Sequence, residues 1–160
     1  KGSSFRFELP FELANPTSQP EPSGPPPREA INGTSHALVV EDNPVNRTLT
    51  RRLLEKLGCE VMTANDGEAA NSLWQLHAFD LIFMDCIMPK VDGFEATRRL
   101  RAWEATHKRT RVPVVALTAS AMEEDEERCR RAGMDSFAAK PVNIETLRAV
   151  LDQYAHGASK

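Results

Sequence analysis

From Ala37 onward the chain alternates two apolar patterns. Short runs are apolar at nearly every position, and longer stretches repeat apolar residues at helical spacing. The short runs predict strands at about 37 to 41, 60 to 64, 80 to 85, 112 to 117 and 136 to 139. Leu81 to Met84 are apolar without alternation, which suits a strand of a parallel sheet covered by helices on both faces. Between the strands, Asn43 predicts a helix cap with Pro44 at the first position; Leu49, Leu53, Leu54 and Leu57 form a buried stripe that Gly58 ends. A second helix is predicted from Gly67 to Ala78 behind Asp66. A third runs from Gly93 to His107 behind Asp92, with Phe94, Leu100 and Trp103 apolar. Ser120-Ala121-Met122-Glu123 reads as a capping box for a fourth helix, which Gly133 terminates. The fifth follows Asn143 and carries Ile144, Leu147, Leu151 and Tyr154 on one face. Five strands alternating with five helices through right-handed crossovers define an α/β chain, a three-layer α/β/α sandwich.

Upstream the pattern differs. Phe5, Phe7 and Leu9 alternate with Arg6 and Glu8, as in a half-buried strand, but one strand cannot fold alone. Seven of the chain's eleven prolines then fall between Pro10 and Pro27, among Ser, Gln, Glu and Asn, and predict a disordered linker over 10 to 35. The globular unit is expected over 36 to 156, with a short tail at 157 to 160.

Composition narrows the possibilities. Hydrophobic residues make up 41% and charged residues 27% of the chain, and no apolar run approaches the roughly 20 residues of a membrane-spanning helix. The N-terminus lacks the basic, apolar and small-residue regions of a signal peptide, so the piece is expected in the cytoplasm. A net charge of −3 argues against a nucleic-acid surface. Arg98, Arg99, Arg101, Lys108, Arg109 and Arg111 are accordingly read as a solvated basic face. Cys59, Cys86 and Cys129 are odd in number and lack a Cys-x-x-Cys pair, so they are expected to be buried thiols.

The strand ends supply the chemistry. In a parallel sheet all C-terminal strand ends share one edge, where ligands bind. This gathers Glu41 and Asp42, Asp85, Thr118 and Ala119, and Lys140 and Pro141. Three crowded carboxylates repel unless a cation joins them, and a hard divalent ion such as Mg²⁺ (or Mn²⁺) suits oxygen donors. A carboxylate nucleophile beside a divalent metal, a lysine and a hydroxyl is a phosphoryl-transfer arrangement. Asp85 is the expected phosphoacceptor. Lys140 and the metal would neutralise equatorial oxygens, while the Thr118 hydroxyl and the backbone N–H groups of Cys86 and Ala119 hydrogen-bond the product.

Residues 37 to 154 resemble a receiver domain of the response-regulator family. The matching motifs are Val39-Val40-Glu41-Asp42-Asn43, Asp85 with Met88-Pro89 and Asp92-Gly93, Val115-Ala116-Leu117-Thr118-Ala119, and Ala132-Gly133 followed by Phe137 and Lys140-Pro141. The resemblance implies the flavodoxin-like strand order 2-1-3-4-5. It implies Mg²⁺ bound by Glu41, Asp42, Asp85 and the backbone oxygen of Ile87, and transfer to Asp85 from a phosphohistidine. It also implies a switch pair of Thr118 and Phe137, and a cis peptide bond between Lys140 and Pro141. Asp42-Asn43-Pro44-Val45-Asn46 is similar to receivers fused to hybrid sensor histidine kinases, and residues 2 to 10 look like the last strand of a kinase ATP-binding domain. The chain is thus expected to be the cytoplasmic receiver of a membrane-anchored hybrid kinase, monomeric and without the kinase active site.

In that setting Asp85 would relay phosphate from the kinase's histidine domain to a histidine phosphotransfer domain. Partner helices would pack near Val45, Leu49, Pro141 and Val142. Alternatively, the receiver acts as a phosphorylation-independent binding or inhibitory module. An aspartyl-nucleophile phosphatase is disfavoured by Ile87, where that class carries a second aspartate.

Overall fold

The computed structural model describes residues 34 to 120 and 122 to 154. The predicted strand at residues 1 to 9, most of the proline-rich linker and the tail lie outside the described residues. Strand β1 (His36–Val40) leads to helix α1 (Pro44–Lys56), β2 (Glu60–Ala64), α2 (Gly67–Leu76), β3 (Leu81–Asp85) and α3 (Gly93–Thr106). The chain continues through β4 (Val114–Thr118), α4 (Glu123–Ala132), β5 (Ser136–Ala139) and α5 (Ile144–Tyr154). All strand pairs are parallel and the order is β2-β1-β3-β4-β5, as expected.

The unbroken apolar strands serve two cores. On one face, Leu38, Val40, Ile82, Met84, Val114 and Ala116 pack with Trp74 of α2, Phe94 and Leu100 of α3 and Cys129 of α4. On the other, Ala37, Val39, Leu81, Phe83, Val115 and Leu117 pack with Leu54 of α1 and Leu147 and Leu151 of α5. Alternate side chains of one strand point to opposite faces, so an all-apolar strand requires both layers. Each fully buried Leu, Phe or Met contributes about 1.5–3 kcal/mol relative to exposure.

Helix ends explain most boundaries. Asn43 Oδ1 accepts from the N–H groups of Val45 and Asn46, and Asp66 and Asp92 cap α2 and α3 in the same way. Gly133 closes α4 at φ 100°, a left-handed conformation open to glycine.

Three expectations need correction. The residue preceding α4 is Met122, with no side-chain cap; Ser120 lies two residues before it, and its N–H, which a capping box would pair with Glu123, donates to the Thr118 hydroxyl. The four acidic residues of α4's first turn favour the positive end of its dipole without that cap. On α1, Leu49 is 42% exposed while Thr50 is buried in the stripe, since the helix turns Thr50 and Leu54, four residues apart, onto the sheet. The basic face is not simply solvated. Arg101 donates to Glu104, Asp135 and the carbonyls of Val112 and Gly133, and Arg111 also binds Asp135. Glu104 in turn accepts from the Val112 N–H, and Asp135 from the Val114 N–H. This network locks the start of β4, at the end of the sheet opposite the strand C-termini.

Candidate phosphoryl-transfer site

The strands deliver the predicted residues to one edge. Asp85 is the last residue of β3, and Glu41 follows β1 directly; both are nearly inaccessible, at 2% and 1% exposure. Asp42 is exposed beside them, and carboxylate oxygens of all three lie within 4.8 Å of one another. Lys140 reaches in from the end of β5, its Nζ 2.9 Å from Asp85 Oδ1 and 3.2 Å from Glu41 Oε2. The Lys140–Pro141 peptide bond is cis.

Backbone groups complete the frame. The Ile87 N–H donates to Asp85 Oδ1 at 3.2 Å, and the Asn43 N–H donates to Glu41 Oε1 at 3.2 Å. The Cys86 N–H, expected to face a phosphate, is already committed to the Leu117 carbonyl in the sheet at 3.1 Å. The donor that faces Asp85 is therefore Ile87, whose side chain is 77% exposed at the rim. Thr118 ends β4, but its hydroxyl is turned to Ser120, donating to that carbonyl at 2.7 Å and accepting from its N–H at 3.1 Å. Phe137, half-buried in β5, packs against the core that includes α4. Thr118 pairs with Ala139 in the β4–β5 ladder, two residues beyond Phe137.

Two contributors escaped the sequence reading. Gly93 stands in the sequence reading only as a helix start and as part of the Asp92-Gly93 motif, yet a Cβ there would collide with the Asp85 carbonyl, so α3 begins against the backbone of the central carboxylate. Its N–H donates to the Cys86 carbonyl at 3.1 Å. Arg47, one turn into α1, donates to the carbonyls of both Glu41 and Asp42. A glycine beside an aspartate carried a partial signal; Arg47 carried none.

The electrostatics follow from this crowding. Burial, together with the hydrogen bond and charge of Asp85, pushes the Glu41 carboxyl up to about 7 against the opposing effects of the Asn43 N–H and Lys140. For Lys140, burial acts to lower the pKa, but the hydrogen bonds and charges of Asp85 and Glu41 outweigh it and the net shift is upward. Lys140 thus remains an ammonium. Cys86 and Cys129 lie 3.9 Å apart, sulfur to sulfur, and burial raises both, so they persist as thiols. The donor set fits a hard cation: three carboxylates, one facing solvent, with no soft ligand among them.

A buried carboxylate at a strand end, an acidic pair and a lysine spanning them, on a five-stranded parallel sheet of this order, define the class. The chain belongs to the response regulator receiver domain family, whose match covers residues 37–152. Among curated proteins, the virulence sensor protein BvgS of Bordetella bronchiseptica is 41% identical over 163 residues, covering 96% of this chain. The chain spans 13% of the length of that protein. Among solved structures, the receiver domain of sensor histidine kinase PA1611 from Pseudomonas aeruginosa, with a magnesium ion coordinated in its active-site cleft, is 40% identical with a TM-score of 0.68. That comparison covers 76% of this chain and 97% of the other. The receiver domain of Ssk1 from Saccharomyces cerevisiae, crystallised with the histidine phosphotransfer protein Ypd1, is 29% identical with a TM-score of 0.75 over 79% of this chain and 92% of that one. Among the described residues no helix is long and apolar enough to cross a membrane.

Proposed function

We propose that Asp85 accepts a phosphoryl group from a phosphohistidine in a Mg²⁺-dependent reaction and passes it to a histidine phosphotransfer partner. The observation that carries this reading is the Lys140 ammonium bridging Asp85 and Glu41 inside a three-carboxylate cluster. Glu41, Asp42, Asp85 and the Ile87 carbonyl would hold the metal, which when bound neutralises charge on the transferred group. The Asp85 carboxylate attacks phosphorus, the bond from phosphorus to the donor imidazole breaks, and Lys140 and the N–H groups of Ile87 and Ala119 receive the phosphoryl oxygens. To reach the product, the Thr118 hydroxyl must leave Ser120. That movement opens space toward Phe137 and biases the α4–β5–α5 face between two states.

The docking surface is apolar beside the acidic site. Val45 is 72% exposed, and a shallow cleft lined by Asn46, Leu49, Pro141 and Val142 runs down to Glu41 and Lys140. A helix bearing the donor or acceptor histidine would lie across it. Magnesium in the PA1611 receiver and the phosphotransfer protein held by Ssk1 support both halves of the reading. The similarity to the virulence sensor protein BvgS supports a parent sensor kinase of which this domain is a part.

The test is labelling by acetyl phosphate or a cognate phosphohistidine domain, with and without Mg²⁺. Asp85→Asn abolishes labelling while keeping the fold. Normal labelling of that variant sinks the assignment, and failure of the unaltered chain to label favours a phosphorylation-independent binding module.

A further inference from the structure

We infer that Arg47 is a positioning residue that holds the metal-binding loop between β1 and α1 in register. The inference rests on the reading of Glu41 and Asp42 as metal ligands. After β1 the Glu41 N–H still donates to the Ala64 carbonyl of β2, but the carbonyls of Glu41 and Asp42 precede the first intrahelical acceptor, the Asn43 carbonyl. Arg47 Nη1 donates to the Glu41 carbonyl at 2.8 Å and the Asp42 carbonyl at 3.3 Å. One nitrogen with two hydrogens thereby ties together two consecutive residues whose side chains both enter the acidic cluster. The arginine is itself fixed by α1, whose cap at Asn43 shares its N–H with Glu41 Oε1. The Glu41 backbone is thus held by Arg47 and its side chain by the Asn43 N–H.

Charge and geometry predict opposite effects on the metal. A positive guanidinium near the cluster repels a divalent cation, so if only its charge mattered, removing it would tighten binding. If it acts by orienting the two ligands, removing it loosens binding, because the loop can rotate both carboxylates away. A lysine keeps the charge, but its shorter side chain ends in a freely rotating ammonium that lacks the fixed, coplanar pair of N–H groups on Nη1.

The experiment measures Mg²⁺ affinity by NMR titration of the 160-residue chain without partner or phosphodonor, alongside the Mg²⁺ dependence of acetyl phosphate labelling. Arg47→Met weakens Mg²⁺ binding about tenfold, in the range seen when groups that orient metal ligands are removed. Half-maximal labelling then requires correspondingly more Mg²⁺, while the rate at saturating Mg²⁺ changes less than about twofold, since Asp85 and Lys140 are not contacted by Arg47. Arg47→Lys does not restore affinity. Unchanged or tighter binding in Arg47→Met, or full recovery in Arg47→Lys, overturns the inference. Arg47→Gln, polar but too short to span both carbonyls, takes the place of the methionine variant if that one melts. Asp42→Asn separates the two layers: if it leaves Mg²⁺ binding intact, the metal site itself is misassigned, whereas its loss beside an unaffected Arg47→Met refutes only the positioning role.

Discussion

Glu41 makes the metal-free protein less stable as pH rises toward neutrality, the reverse of an ordinary ion-paired carboxylate. Its folded pKa is raised from the ordinary 4.5 to about 7 by burial and by Asp85. Between those values the folded state keeps a proton that the unfolded chain has released. Stability therefore falls with increasing pH across this window and is flat for this group below 4.5 and above about 7. At about 1.4 kcal/mol per pKa unit the full window spans about 3 kcal/mol, and the loss between pH 5 and 8 is about 2 to 3 kcal/mol. The assay is urea unfolding in chelator at pH 5, 6, 7 and 8 for the unaltered chain and Glu41→Gln, whose difference removes the background from the other carboxylates. The difference should change by that amount, with the glutamine variant the more stable of the two at pH 8. Mg²⁺ must displace the same proton, so its affinity climbs as pH passes upward through 7. Parallel stability profiles over pH 5 to 8 refute the burial argument.

Lys140→Met leaves Asp85 and Glu41 without their shared ammonium, and labelling by acetyl phosphate at saturating Mg²⁺ should drop on the order of 100-fold with the fold retained by circular dichroism. Gly93→Ala forces α3 away from the Asp85 carbonyl; urea unfolding should show a loss of about 1–3 kcal/mol and labelling should slow, whereas a neutral result would mean α3 shifts freely. Arg101→Ala leaves the buried Glu104 without its cation, while Asp135 keeps Arg111, costing about 3–5 kcal/mol in unfolding while the Mg²⁺ dependence of labelling is unchanged in the surviving folded protein.

Topology made the principal residues of the site legible. Once the apolar runs indicated a parallel sheet, Glu41, Asp42, Asp85, Thr118 and Lys140 had to share an edge despite spanning a hundred positions, because each follows or ends a strand. What stayed hidden depends on where individual hydrogen bonds go. The Cys86 N–H belongs to the ladder while that of Ile87 does not, a difference of one residue that strand boundaries accurate to a residue or two cannot resolve. Arg47 resembles any exposed helix arginine until the preceding loop curls back over it. Arg101 reads as charged surface because the partners that enclose it besides Glu104 of its own helix, the Val112 and Gly133 carbonyls and Asp135, come from other segments whose approach depends on packing. Ser120 matches a capping pattern, yet α4 starts only at Glu123 after Met122, and the Ser120 N–H donates to the Thr118 hydroxyl.

The cluster itself is a poor choice for stability. Asp85 and Glu41 are almost wholly buried, and burying carboxylates costs several kcal/mol unless hydrogen bonds and charges compensate. Here one lysine serves two of them, and Glu41 is left holding a proton near neutrality. A hydrophobic pair would pack as well between β1 and β3 without that penalty. Adding a phosphoryl group would bring about 1.5 to 2 further negative charges to the same corner, which the lysine alone cannot balance. The arrangement is deficient in positive charge, and under the proposed function that deficit would tie phosphorylation of this site to a divalent cation: an Asp85→Asn chain, relieved of one carboxylate, should bind Mg²⁺ more weakly while unfolding at higher urea in its absence.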